Sequence, residues 1–266
     1  MRVVSSLVLA AALAPPLSAG DLPDVKARGT LRVLAVVRNQ ADDFMSTEAG
    51  HGFDREVLEG FCALHHLKLE VVTQRNWGDL IPALLQDKGD VIAGRFNVTA
   101  SRKEQIAFTS EVFPSRHVVL TRKPHRVVNT LEELREEKVG TVQGTSMAEV
   151  VAAAGVPAAR VNDTIVTGTL PDALRDGRVS AVVLGIENAI TAQRRDPDLQ
   201  LGTFVGPPSS LSYGVRKEDT ALLAALSEYV ANMRRTPTWN RLVVKYFGAS
   251  APEVLRKARG EDAAGN

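Results

Sequence analysis

Four residues in one short stretch carry the chemistry worth explaining first. Arg95, Asn97 and Thr99 recur at spacing two, so in an extended chain their side chains leave the same face. Arg102 follows after a residue, Ser101, that can cap a short helical turn. A guanidinium receives a carboxylate through two parallel charge-assisted hydrogen bonds, and hydroxyl and amide groups beside it supply orientation. Farther on, Thr145 and Ser146 stand at the start of an Ala-rich segment, where free N–H groups and the helix dipole favour an anion. Trp77 and Phe44 are aromatic and stand among polar neighbours, as walls for the apolar part of a small ligand. Each has an ordinary alternative. Arg102 could lie on a solvated turn beside Lys103, Arg95 could pair with a neighbouring acid, Ser146 could merely cap its helix, and Trp77 could be core.

These residues must be positioned by regular elements, and the pattern of elements is legible. Strands are expected near residues 31–36, 67–72, 91–93, 116–121, 139–142, 165–166, 181–184 and 199–204. Helical periodicity covers 54–64, 77–86, 131–136, 146–154, 170–174, 221–233 and 239–247. In the first helix Val57, Leu58, Phe61, Cys62 and Leu64 share a face, which makes Cys62 a core residue. Alternating strands and helices imply an α/β fold with mostly parallel sheets. Residues 249–266, rich in Ala, Gly and charge, read as a flexible tail.

Composition narrows the function. The 266 residues hold 32 Lys+Arg against 31 Asp+Glu, so no general electrostatic grip on nucleic acid exists. One cysteine excludes an intrachain disulfide and a Cys-rich zinc module. There is no P-loop, GxGxxG, GxSxG, HExxH or CxxC motif, and no cofactor or metal is expected. The start, Met1-Arg2 followed by an apolar run to Leu13 and then Pro15, Pro16, Ser18, Ala19 and Gly20, has the layout of a cleaved secretory signal over residues 1–20. The mature chain is then expected in the periplasm.

Gly52-Phe53-Asp54, then Leu80-Ile81-Pro82-Ala83-Leu84 through Asp90-Val91-Ile92 to Asn97-Val98-Thr99-Ala100-Ser101-Arg102, then Lys245-Tyr246-Phe247-Gly248, stand in the order and spacing of a known pattern. With Val139-Gly140-Thr141-Val142-Gln143-Gly144-Thr145-Ser146, they resemble the extracytoplasmic solute-binding proteins of family 3, the amino-acid type. The resemblance implies a two-lobe periplasmic-binding-protein fold (type II) with two crossover strands and ligand in the interlobe cleft. Lobe 1 would comprise 21–114 plus 209–248, and lobe 2 with the hinge strands 115–208. It implies a monomeric, non-catalytic receptor that delivers a carboxylate-bearing solute, an amino acid or related organic acid, to an ABC permease of the inner membrane. Arg102 falls at the family's carboxylate-binding arginine.

Two departures matter. Gly177-Arg178-Val179-Ser180-Ala181-Val182-Val183-Leu184 matches a family strand, but the aspartate that would meet the ligand ammonium is replaced by Gly185. Glu187, two residues on, could substitute or could face solvent. Arg95 stands where a small residue is usual. Two arginines and at most one acid lead to the expectation of an anionic ligand, a dicarboxylate or acidic amino acid rather than a basic one. The alternatives are a cyclohexadienyl dehydratase-like periplasmic enzyme, for which Glu187 is the one available general acid, and a free-standing sensor domain.

Overall fold

The computed structural model describes residues 20–37, 44–48, 51–249 and 251–259. The export signal expected over residues 1–20 falls, save Gly20, outside the described residues.

The described chain begins with α1 (Leu22–Arg28), whose first N–H is received by Asp21 and which ends at Gly29 in the left-handed region (φ 72°). Then come β1 (Thr30–Ala35), α2 (Phe53–Leu64), β2 (Lys68–Thr73), a single 3-10 turn at Trp77–Asp79, and α3 (Leu80–Leu85). β3 (Val91–Ile92), α4 (Ala100–Gln105) and β4 (Ala107–Phe108) complete this stretch. β5 (Phe113–Arg122) leads into α5 (Leu131–Glu136), β6 (Val139–Gly140), α6 (Ser146–Ala153), β7 (Val161–Asn162), α7 (Leu170–Arg175), β8 (Ala181–Gly185) and α8 (Ile186–Arg195). The chain returns through β9 (Leu199–Leu211) to β10 (Gly214–Val215), α9 (Thr220–Arg234), α10 (Pro237–Phe247) and α11 (Ala251–Ala258).

Two five-stranded sheets result, ordered β2-β1-β3-β10-β4 and β7-β6-β8-β5-β9. They are mixed rather than mostly parallel. β1 runs parallel to β2 and β3, whereas β10 runs against β3 and β4. In the second sheet β6 is parallel to β7 and β8, and β5 is antiparallel to both β8 and β9. The antiparallel members come from chain reversal: β5 carries the chain from one sheet to the other and β9 carries it back. Their pairing runs from Phe113↔Leu211 to Arg122↔Leu199, with a register irregularity between Ser115 and His117. Such a bulge re-aims the side chains on either side of it.

One apolar cluster runs through both sheets, from Leu31 and Val33 of β1 through Phe113 of β5 to Val182 and Leu184 of β8, and two smaller ones each serve one sheet. Leu34, Leu80, Leu84, Ile92 and Phe96 pack together under the first sheet. Val119, Leu134, Val139, Val151 and Val183 pack on one face of the second. A knot of rings, Phe44, Phe53, Phe113 and Phe247, lies with centroids 4.9–5.7 Å apart in tilted and edge contacts.

Three local expectations change. The strand expected at 165–166 forms instead at β7. The cap of α4 is Thr99, not Ser101: the Thr99 hydroxyl accepts the Arg102 N–H at 3.3 Å. Residues 251–258, expected in a flexible tail, form α11, because Ala251, Leu255 and Ala258 recur on one face and are buried.

Candidate functional site

A cavity of about 520 Å³ is lined from both sheets. Its first wall follows β3, where the chain turns through Gly94 (φ 88°) and Arg95 (φ 66°). Asp54, fully buried at the start of α2, holds that turn: one carboxylate oxygen accepts the N–H of Gly94 at 2.9 Å and of Arg95 at 3.1 Å. Tyr213 donates to the other at 3.3 Å. Burial pushes the Asp54 carboxyl up to about 6 against those hydrogen bonds. Asp54 fixes the backbone from which Arg95 and Asn97 reach the cavity.

Arg102 is buried in the third position of α4. Its guanidinium lies 4.2 Å from the Phe96 ring centroid, and one nitrogen donates to the Asn97 carbonyl at 2.8 Å. Among the described residues no carboxylate ion-pairs with it, and burial lowers its pKa while Glu149 partly opposes this. A desolvated cation bound to one carbonyl and an aromatic face retains donors for an incoming anion.

The second wall begins at α6. Thr145 occupies the cap position, but its hydroxyl turns back to the Val142 carbonyl at 2.6 Å. The Ser146 hydroxyl does no capping either. It accepts from the Asn97 side-chain amide at 2.9 Å and lies 3.0 Å from His117 Nε2. His117, on β5, is held down to about 4 by burial and then by the charge of Arg102. A neutral ring can accept the Ser146 hydroxyl proton at Nε2.

Glu187 enters in the first turn of α8 and is buried. Asn188 donates to one oxygen at 3.0 Å and Ser115 to the other at 3.4 Å. Burial raises its pKa; its own backbone N–H and the Arg95 charge oppose the shift. The reason for glycine at 185 is spatial. A Cβ there would lie 2.2 Å from one Glu187 oxygen and 2.7 Å from the other. The Glu187 carboxylate fills the room a Gly185 side chain would need. Arg95 reaches across to donate to the Asn188 side-chain carbonyl, so two hydrogen-bonded links, Arg95 to Asn188 and Asn97 to Ser146, join the walls.

A model of the bacterial extracellular solute-binding proteins, family 3, matches residues 34–249. The chain belongs to that family. It is similar to the histidine-binding periplasmic protein of Escherichia coli K12, 27% identical over 210 residues that cover 74% of this chain and 78% of that protein. Among solved structures, the holo form of ArgBP from T. maritima superposes with a TM-score of 0.71 at 27% identity, covering 85% of this chain and 99% of that one. Membrane-bound lytic murein transglycosylase F of Aliivibrio fischeri is 24% identical over 243 residues, 85% of this chain but 47% of that protein, so this likeness spans about half of its length. The fold is the two-lobe type II architecture of these neighbours.

In this family 3 chain the structure gathers Trp77, Arg95, Asn97 and Arg102 from one wall with Thr145, Ser146 and Glu187 from the other. Two expected residues are elsewhere. Phe44 is 2% exposed inside the ring knot and touches the site only through its face, with the Arg95 guanidinium 5.7 Å from its centroid; its polar sequence neighbours disguised a core residue. Thr99 is spent on capping α4, because the left-handed Arg95 interrupts the strand alternation that would have aligned it. Sequence reasoning missed His117 and Asn188. His117 lay on an expected strand and could have been found by asking which of its faces turns inward; nothing in its type marked Asn188. Among the described residues no helix is long and apolar enough to cross a membrane.

Proposed function

We propose that this chain binds an α-amino acid between its lobes, in the periplasm, as a receptor for an ABC importer. One observation carries the reading: a buried guanidinium without an acidic partner among the described residues, Arg102, and a buried carboxylate, Glu187, line the same cavity. A zwitterion matches that pair, with its carboxylate on Arg102 and its ammonium on Glu187. Asn97, Ser146 and the α6 N-terminus orient the carboxylate, and the Trp77 face covers the apolar stem.

The expectation of an anionic ligand rested on two arginines and a missing acid. Arg95 is engaged with Asn188 and faces Glu187, and Glu187 supplies the acid. The remaining balance is one positive and one negative group, and relatives that bind histidine or arginine are compatible with it. The test is calorimetric titration of the purified chain, freed of carried-over ligand by unfolding and refolding, with the twenty amino acids and with succinate. Binding of at least one amino acid at micromolar concentration, lost in Arg102→Met, supports the proposal. Binding of succinate and of no amino acid overturns it.

A further inference from the structure

The cavity is larger than an amino-acid head requires, and much of its lining comes from α7 and α8. α7 and α8 both begin at the cleft and pack on the same sheet, against β8 and β5. Asn188, Ala192, Arg195 and Asp196, at spacings that share one helical face, all line the cavity, as do Pro171 and Asp172 of α7. From Asn188 to Arg195 the rise is about 10 Å at roughly 1.5 Å per residue. The total of about 520 Å³ falls in the range, about 300–1,000 Å³, of pockets that hold drug-sized ligands. Gly168 and Ala192 put little side-chain bulk along this route. Its far end is polar and open: Arg175 and Arg195 are exposed, Asp172 pairs with Arg175 at 2.8 Å, and Asp196 pairs with Arg122 at 3.1 Å.

We propose that the groove between α7 and α8 is a subsite for the side chain of the ligand, and that the ligand is an α-amino acid with a long polar side chain ending in charged or hydrogen-bonding groups. This rests on the amino-acid reading and adds the direction and chemistry of the side chain. The head stays on Arg102 and Glu187. The stem passes Ala192. The terminal group meets the Asp172 and Asp196 carboxylates and the guanidiniums beside them, which together can serve a cationic end or a zwitterionic one.

The experiment uses three probes, alanine, arginine and γ-glutamylglycine, against the wild-type chain, Ala192→Trp, Ala192→Leu and Arg102→Met, with a melting curve for each variant. Wild type is expected to bind at least one long probe ten-fold or more tighter than alanine. Ala192→Trp should weaken that probe at least ten-fold and Ala192→Leu by less, with alanine changed under two-fold or too weak to measure in either protein. Arg102→Met should weaken every probe. If Arg102→Met abolishes binding while neither Ala192 variant alters the long probes, the groove is not a subsite and the head reading stands. If Arg102→Met changes nothing, or no probe binds wild type at millimolar concentration, the head reading fails and the groove proposal with it. Equal weakening of all probes in both folded Ala192 variants also overturns the groove.

Discussion

Two arginines are buried to similar degrees, Arg102 at 8% and Arg216 at 3% exposure, and are provided for in opposite ways. Arg216 ion-pairs with Asp219 at 2.8 Å and Asp87 at 3.1 Å, and donates to the carbonyls of Leu84 and Gly89 at 2.8 and 2.9 Å. Arg102 has one carbonyl and one ring. Desolvating a guanidinium costs several kcal/mol unless partners replace the lost water. At Arg216 the fold supplies two carboxylates and two carbonyls, although Nε and Nη2 lie outside hydrogen-bond geometry; at Arg102 it supplies no carboxylate among the described residues. The difference separates a cation that the fold pairs with acids from the one assigned to the ligand in the proposed function, without reference to any relative. Position agrees: Arg216 fastens β10 to the loops after α3, whereas Arg102 lines the cavity.

Substitution by methionine breaks or sustains that contrast directly. Arg216→Met leaves Asp219, itself wholly buried, without its cation, and breaking a buried pair costs about 3–5 kcal/mol. Urea unfolding at pH 8, where Asp219 with its pKa of about 6 is ionised, should register the full loss. Arg102→Met removes a desolvated charge that has no acid to abandon, so its stability should stay within about 1 kcal/mol of wild type or rise. Ligand affinity should move the other way. Truncating one member of a buried charge pair costs about 2–5 kcal/mol of binding, on the order of 30- to 5,000-fold for Arg102→Met, while folded Arg216→Met keeps most of its affinity. Equal destabilisation by the two substitutions would erase the distinction.

Acid sharpens it further, because the charge of Arg102 contributes to keeping His117 neutral. The His117 pKa of about 4 lies below the ordinary 6.5, so between those values the unfolded chain takes the proton first and stability falls on acidification, by about 3 kcal/mol in all. Asp54 works in the opposite sense. Its folded pKa of about 6 exceeds the ordinary 3.8, so over nearly the same window the native state holds the extra proton and gains about 3 kcal/mol as pH falls. The two largely cancel in wild type. His117→Gln should leave the Asp54 gain exposed, and its stability relative to wild type should climb as pH drops from 7 to 4 in a series of denaturant melts. Asp54→Asn should show the reverse slope. Parallel curves for wild type and His117→Gln would show that His117 is not held neutral beside Arg102.

Much of this contrast was legible in the sequence, and the illegible part has a physical pattern. The stripe Val57, Leu58, Phe61 and Cys62 and the apolar run of β8 are periodic signals, and their elements formed where periodicity placed them. Arg102 was found through its surrounding motif. Which arginine goes without a carboxylate among the described residues could not be read, because Asp87 and Asp219 reach Arg216 only after the chain has folded. The same holds for Phe44, whose ring partners Phe113 and Phe247 are remote in sequence. The Thr99 side chain turns to the helix start for a local reason: a positive φ at the non-glycine Arg95 is held by the distant Asp54, and no alternation rule anticipates it.

Glu187 supplies the mirror image of Arg102, a buried anion on the opposite wall, and completes the contrast with the smallest expected effect. Its side-chain hydrogen bonds come from neutral Asn188 and Ser115, and burial outweighs its own backbone N–H and the Arg95 charge, so an arriving ammonium would add to its compensation. Charge-assisted hydrogen bonds contribute about 1.5–3 kcal/mol, so Glu187→Gln should weaken amino-acid binding by roughly 10- to 150-fold with the melting temperature unchanged or higher. The proton balance makes the prediction specific. Burial raises the Glu187 pKa in the free protein and an adjacent ammonium lowers it, so binding near that pKa expels a proton and affinity falls as pH falls. Calorimetry in two buffers of different ionisation enthalpy, repeated down the pH scale, should detect that release in wild type and lose it in Glu187→Gln. Identical proton counts in the two proteins would mean that the ligand ammonium meets some other group.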